Sequence, residues 1–147
     1  MALAVMRYDP SSPEATRRLL LVHGERGIRF SVADYFRMRG FEVHEAEDPE
    51  TAWNQLGVTA YDVMLTDYHF GRRAAEGIAL AARARLAVHP PVVCLLAPPL
   101  EPDEALAASH AVDLLITRPR PLPDLAELLF TLLRDRAAAP SPPTARG

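Results

Sequence analysis

Asp67 is the carboxylate best placed for chemistry. It closes an apolar run, Tyr61-Asp62-Val63-Met64-Leu65-Thr66, and precedes a polar loop carrying His69, Gly71, Arg72 and Arg73. A continuous apolar run between turn-like sequences reads as a strand buried on both faces. In open α/β sheets, reactive groups gather just beyond the carboxyl ends of such strands. A second apolar run, Arg18-Leu19-Leu20-Leu21-Val22, ends in His23, Gly24 and Glu25. His23, Glu25, Asp67 and His69 therefore fall on loops at one sheet edge. A carboxylate there can react or help hold a cation. Imidazole with carboxylate (His23, Asp67, His69) can also hold Zn²⁺ or another transition metal. That set has no tight local spacing. The plainer reading has His23 hydrogen-bonding Asp67 and His69 solvated. A carboxylate beside an imidazole raises its pKa, so this contact predicts a partly charged His23.

The elements that must position these groups follow from periodicity. Strands are expected at 18–23, 41–46, 61–66, 92–96 and 112–117. Helices are expected between them. Ile28, Val32, Tyr35 and Phe36 share one face of a helix over 25–39, which Gly40 closes. Asp48-Pro49 opens the next helix, with Ala52, Trp53 and Leu56 inward and Gly57 as its stop. An Ala-rich helix over 74–88 places Ile78, Ala81, Ala82 and Leu86 inward, until Pro90 and Pro91. A short helix over 103–110 follows Pro98-Pro99. Asp124 is expected to cap the last helix, whose Leu125, Leu128, Leu129, Leu132 and Leu133 form one stripe. The result is α/β: a (βα)5, doubly wound, five-stranded parallel sheet with helices on both faces.

Composition narrows the function classes. The chain has 147 residues, 49% hydrophobic and 24% charged, with a formal charge of -3. One domain is expected, residues 17–136, between an N-terminal extension (1–16) and a disordered Pro-rich tail (137–147). The charge gives no footprint for nucleic acid or a membrane surface. No apolar run approaches the roughly 20 residues that span a bilayer, and no signal sequence is visible, so a cytoplasmic location is expected. The single cysteine, Cys94, lies in an apolar run and reads as a buried thiol. His23-Gly24-Glu25-Arg26-Gly27 lacks the G-x-G-x-x-G and P-loop patterns that cradle phosphates. All sixteen basic residues are arginine.

Three stretches in this order resemble the receiver domain of two-component response regulators (CheY-like). They are Leu19 to Glu25, Tyr61-Asp62-Val63-Met64-Leu65-Thr66-Asp67, and Asp113-Leu114-Leu115-Ile116-Thr117-Arg118-Pro119. The similarity covers roughly residues 17 to 136. It implies that Asp67 stands at the phosphoacceptor position served by a histidine kinase. It also implies helpers: an acidic pair after the first strand for Mg²⁺, a hydroxyl ending the fourth strand, and a lysine before a proline after the fifth.

This chain departs from those helpers. The acidic pocket positions hold His23, Gly24 and Glu25, of which Glu25 alone matches. The hydroxyl position is Leu96, followed by Ala97. The switch aromatic is Leu115. The phosphate-pairing lysine is Arg118, with Pro119 a cis-proline candidate. Arg118 keeps the charge but not the geometry. The resemblance therefore implies an atypical, stand-alone receiver. It would signal by protein–protein interaction largely independent of phosphorylation, through helix 4, strand 5 and helix 5. No enzymatic activity and no cofactor are expected. Mg²⁺ binding through Glu25 and Asp67 would be weak, and a homodimer through the last helices is compatible. The alternatives are a working phosphoacceptor at Asp67 and the transition-metal site above.

Overall fold

Four short, mostly apolar runs and one alternating segment, Glu42–Ala46, each four to six residues long, are too brief for helices and must pair with one another. In the computed structural model, which describes residues 17–70 and 76–138, they form one parallel sheet. The elements are β1 (Arg18–Val22), α1 (Arg26–Met38), β2 (Glu42–Ala46), α2 (Pro49–Val58), β3 (Val63–Asp67), α3 (Glu76–Ala84), β4 (Val92–Ala97), α4 (Pro102–Ala111), β5 (Leu114–Thr117) and α5 (Leu122–Ala138). The strand order is β2-β1-β3-β4-β5. The reversal beside β1 leaves the ends of β1 and β3 adjacent, with Val22 opposite Thr66. This is the (βα)5 architecture that the periodicity predicts.

Two apolar layers sandwich the sheet. On one face Leu19, Leu21, Val63, Leu65 and Ile116 pack on Ala33 and Phe36 of α1 and Leu125, Leu129 and Leu133 of α5. On the other, Leu20, Val22, Met64, Val93 and Leu95 pack on Ala52 of α2, Leu80, Ala81 and Ala84 of α3, and Ala108 of α4. Successive strand residues point to opposite faces, so burial on both sides selects unbroken apolar runs. Cys94 is fully buried there, and burial pushes its thiol far above the usual range.

Local signals set several ends. Gly40 has φ 97° beyond α1, a region that glycine tolerates. Asp48 Oδ1 accepts from the Thr51 backbone N–H at 2.7 Å, which caps α2 and holds the Asp48 pKa low. Asp62 Oδ2 accepts from the Arg18 N–H and Asp113 Oδ2 from the Val93 N–H, both at 2.7 Å, which ties the starts of neighbouring strands.

Other expectations are corrected. α3 ends at Ala84, so Leu86 lies beyond it and is 84% exposed, and Ala82 also faces out. Ile28 is exposed rather than inward, because α1 packs through Ala33 and Phe36. α2 runs through Gly57 to Val58. α5 begins at Leu122, so Asp124 sits in its first turn rather than capping it. α5 also continues to Ala138, past the boundary expected at 136. The extension 1–16, the loop residues Gly71, Arg72 and Arg73, and the tail from residue 139 lie outside the described residues. Among the described residues no helix is long and apolar enough to cross a membrane.

Candidate functional site

β3 carries Asp67 as its last residue, opposite Leu96 of β4. The carboxylate is 6% exposed, at the mouth between the β1 and β3 loops. Its Oδ1 accepts from the Tyr68 backbone N–H at 3.0 Å and lies 3.3 Å from Arg118 Nη1. Its Oδ2 lies 3.6 Å from His23 Nε2. His23 thus stands beside Asp67 but, at 3.6 Å, short of the expected hydrogen bond, and Arg118 joins them from the loop after β5. The Arg118 N–H donates to the Ala97 carbonyl at 2.8 Å, which fixes where that arginine leaves the sheet. The Arg118-Pro119 peptide is cis.

His23 is 4% exposed, directly after β1. Its Nδ1 accepts from the Glu25 backbone N–H at 3.0 Å. An accepting Nδ1 places the ring proton on Nε2, the nitrogen facing Asp67. Arg29 Nη1 donates to the His23 carbonyl at 2.8 Å, and its Nε pairs with Glu45 Oε1 at 3.3 Å. The histidine is thus clamped from α1 and from β2.

Burial pushes the His23 pKa below the ordinary imidazole value, Asp67 pulls it up, and Arg118 pushes it down again. Burial wins. The expected upward shift is corrected: a neutral ring turns its Nε2 edge toward the carboxylate at 3.6 Å, beyond hydrogen-bond reach. The acid sensitivity follows in sign. The unfolded chain protonates His23 near pH 6.5, while the folded state resists it. Its contribution to stability is full above about pH 6.5 and is lost as pH falls through the lower folded value. The urea midpoint is expected to fall between about pH 7.5 and about pH 5.5, and to fall less in His23→Gln. Equal losses in both proteins would remove His23 as the source.

The residues do not fit an octahedral Mg²⁺ site. Mg²⁺ needs carboxylates and room for its waters. Here an imidazole fills one acidic position, Gly24 has no side chain, and Glu25 begins α1 with its side chain exposed. Among the described residues, no three His, Cys, Asp or Glu side chains converge so as to hold a metal. The transition-metal set of His23, Asp67 and His69 is therefore not assembled. His69 is half-buried, its ring edge-on to Tyr68 at 4.5 Å.

The switch positions are apolar and packed. Leu96 is 9% exposed and offers only its carbonyl, which accepts from the Tyr68 N–H at 2.9 Å. Leu115 packs, partly buried, on the α2–α3–α4 side. Sequence reasoning missed three residues that shape the mouth. Arg29 holds the His23 carbonyl. Tyr68 is buried, with its hydroxyl 3.4 Å from Glu104 Oε2 on α4. Gly77 of α3 packs directly on the Asp67 carbonyl and the Tyr68 backbone. For Gly77 a signal existed, a lone glycine inside an Ala-rich helix. Arg29 and Tyr68 leave none: Arg29 reaches back across a turn to a backbone carbonyl, and the Tyr68 partner lies 36 residues away.

No family model matches the chain. It is 32% identical over 119 residues to the phosphate regulon transcriptional regulatory protein PhoB of Klebsiella pneumoniae, which covers 80% of this chain and 52% of that protein. The chain thus spans about half the length of the curated relatives it matches. A CheY-like response regulator receiver domain protein from Methanospirillum hungatei superposes with a TM-score of 0.75 at 17% identity, over 83% of this chain and 97% of that one. A Burkholderia pseudomallei response regulator with a phosphorylated aspartic acid and a calcium ion gives 0.70 at 17% identity, over 83% and 71%. The strand order, the carboxylate closing β3 and the PhoB likeness across this region converge, and the chain belongs to the CheY-like response regulator receiver domains of two-component signalling.

Proposed function

We propose that this receiver works as a protein-interaction module whose output does not depend on phosphorylation of Asp67. The carrying observation is the occupied mouth: the Asp67 carboxylate already lies between His23 Nε2 at 3.6 Å and Arg118 Nη1 at 3.3 Å. Phosphoryl transfer is mostly positioning and charge neutralisation. His23 stands where a metal-holding carboxylate would be needed. Leu96 has no hydrogen to donate to a phosphoryl oxygen. Mg²⁺ binding is correspondingly weak, and the module performs no catalysis of its own. Its partner is a signalling protein, a histidine kinase or a downstream component. The binding face is α4–β5–α5, where Leu106 is 60% exposed on α4.

A second reading keeps Asp67 as a phosphoacceptor. Arg118 favours it, since a guanidinium 3.3 Å from the carboxylate can pair with a phosphoryl oxygen. Incubation with acetyl phosphate and Mg²⁺, followed by intact-mass measurement, separates the two, with Asp67→Asn as the control. Loss of one transition-state donor alone slows such chemistry about a hundredfold, so little or no phosphoryl adduct is expected. A stoichiometric adduct that Asp67→Asn abolishes would establish the second reading and remove the first.

A further inference from the structure

At the sheet edge opposite Asp67 lies an apolar groove. Trp53, Leu56 and Val58 of α2 and Leu86, Val88 and His89 after α3 line a cavity of about 560 Å³. Its rim is unusually bare for residues of this type. Val58 is 84% exposed, Leu86 84% and Val88 91%. α2 stops at Val58 and α3 at Ala84, so neither helix continues down to cover these side chains. Arg83 stacks its guanidinium over the Trp53 ring at 4.2 Å, which fixes the indole as one wall.

The end of α5 arrives at the same edge. Helices antiparallel to the strands deliver the chain there, and Arg136 Nη2 donates to the Pro90 carbonyl at 2.6 Å. Pro90 directly follows His89 of the groove wall. Beyond α5 the sequence continues as Ala139-Pro140-Ser141-Pro142-Pro143-Thr144-Ala145-Arg146-Gly147. We propose that this Pro-rich segment of the chain docks into the groove beside Trp53.

Reach and chemistry both suit that occupant. Nine residues at about 3.1 Å each span about 28 Å in the polyproline conformation. Arg136 already touches the residue next to the groove. Proline fixes φ, so such a segment gives up little backbone freedom on docking. Grooves lined by aromatic side chains are what extended Pro-rich segments recognise. Docking would also cover the three bare aliphatic side chains.

Trp53 is the only tryptophan, so its emission reports the groove alone. The comparison is the full chain against a full-length triple variant, Pro140→Gly, Pro142→Gly and Pro143→Gly. The variant is expected to show red-shifted Trp53 emission and stronger quenching by acrylamide, with unchanged far-UV circular dichroism. In a Val88→Glu background, which spoils the groove rim, the proline substitutions are expected to add no further shift. Three results would overturn the proposal: unchanged emission in the triple variant, a shift produced only by deleting residues 1–16, or a shift that follows protein concentration. The last two would assign the groove to the N-terminal extension or to a second copy.

Discussion

The double variant His23→Asp, Gly24→Asp is expected to gain Mg²⁺ binding at the mouth of the sheet by about tenfold or more over the parent chain. His23 Nε2 lies 3.6 Å from Asp67 Oδ2, so a shorter carboxylate at 23 opens room in front of Asp67. A Cβ at Gly24 meets only the Glu47 carbonyl at 3.9 Å and a Phe70 ring carbon at 4.0 Å, which is ordinary contact. A Cβ at 24 therefore fits without moving backbone, and an aspartate at 23 is smaller than the imidazole it replaces. Two new carboxylates beside Asp67 repel one another in the absence of a cation, so the metal-free variant should melt below the parent. Mg²⁺ at about a hundredfold excess over its dissociation constant should restore about 2.7 kcal/mol. Thermal melts with EDTA and with Mg²⁺ read this directly. A melting temperature as insensitive to Mg²⁺ as the parent's would show that the mouth cannot hold the cation even with its carboxylates present.

The same residues show what sequence conveys and where it stops. Asp67 was legible because burial on both faces of a central strand demands an unbroken apolar run, and the first polar residue after it must emerge at the edge. Gly40 and the Asp48 cap were legible because their causes lie within four residues. The inward face expected for Ala82 and Leu86 does not form, because α3 packs through Gly77, Leu80, Ala81 and Ala84, which turns Ala82 outward, and the helix ends before Leu86. The sign of the His23 shift failed for a related reason. Sequence could place a carboxylate beside the imidazole, but not the burial and the Arg118 charge that outweigh it. Arg29, which clamps His23 from α1 while pairing with Glu45, depends on three elements meeting, and no local pattern announces that.

Gly77→Ala is expected to destabilise the fold and loosen the candidate site together. A Cβ at this position overlaps the Asp67 carbonyl oxygen and comes within 2.9 Å of Tyr68 Cα. Both are backbone atoms of a fully paired central strand and its exit, so neither can swing aside as a side-chain tip would. The Gly77 N–H also donates to the Tyr68 carbonyl at 3.1 Å, so moving α3 outward breaks that bond. Overpacking of this kind typically costs about 1–3 kcal/mol, and a backbone clash belongs at the upper end. Alanine's better helix propensity returns about 1 kcal/mol, leaving a net loss of about 2 kcal/mol. Gly27→Ala provides the contrast. That glycine lies in α1 with nothing within 4 Å of its Cβ position, so the same substitution gains propensity without a clash. Urea unfolding of the pair should give opposite signs, with Gly77→Ala lower than the parent and Gly27→Ala equal or slightly higher. The displaced Asp67 carbonyl also shifts the carboxylate away from Arg118, so the Arg118 guanidinium resonances should change in Gly77→Ala and not in Gly27→Ala. A Gly77→Ala protein as stable as the parent would mean that α3 does not rest on the β3 exit, and that Asp67 is positioned by its strand alone.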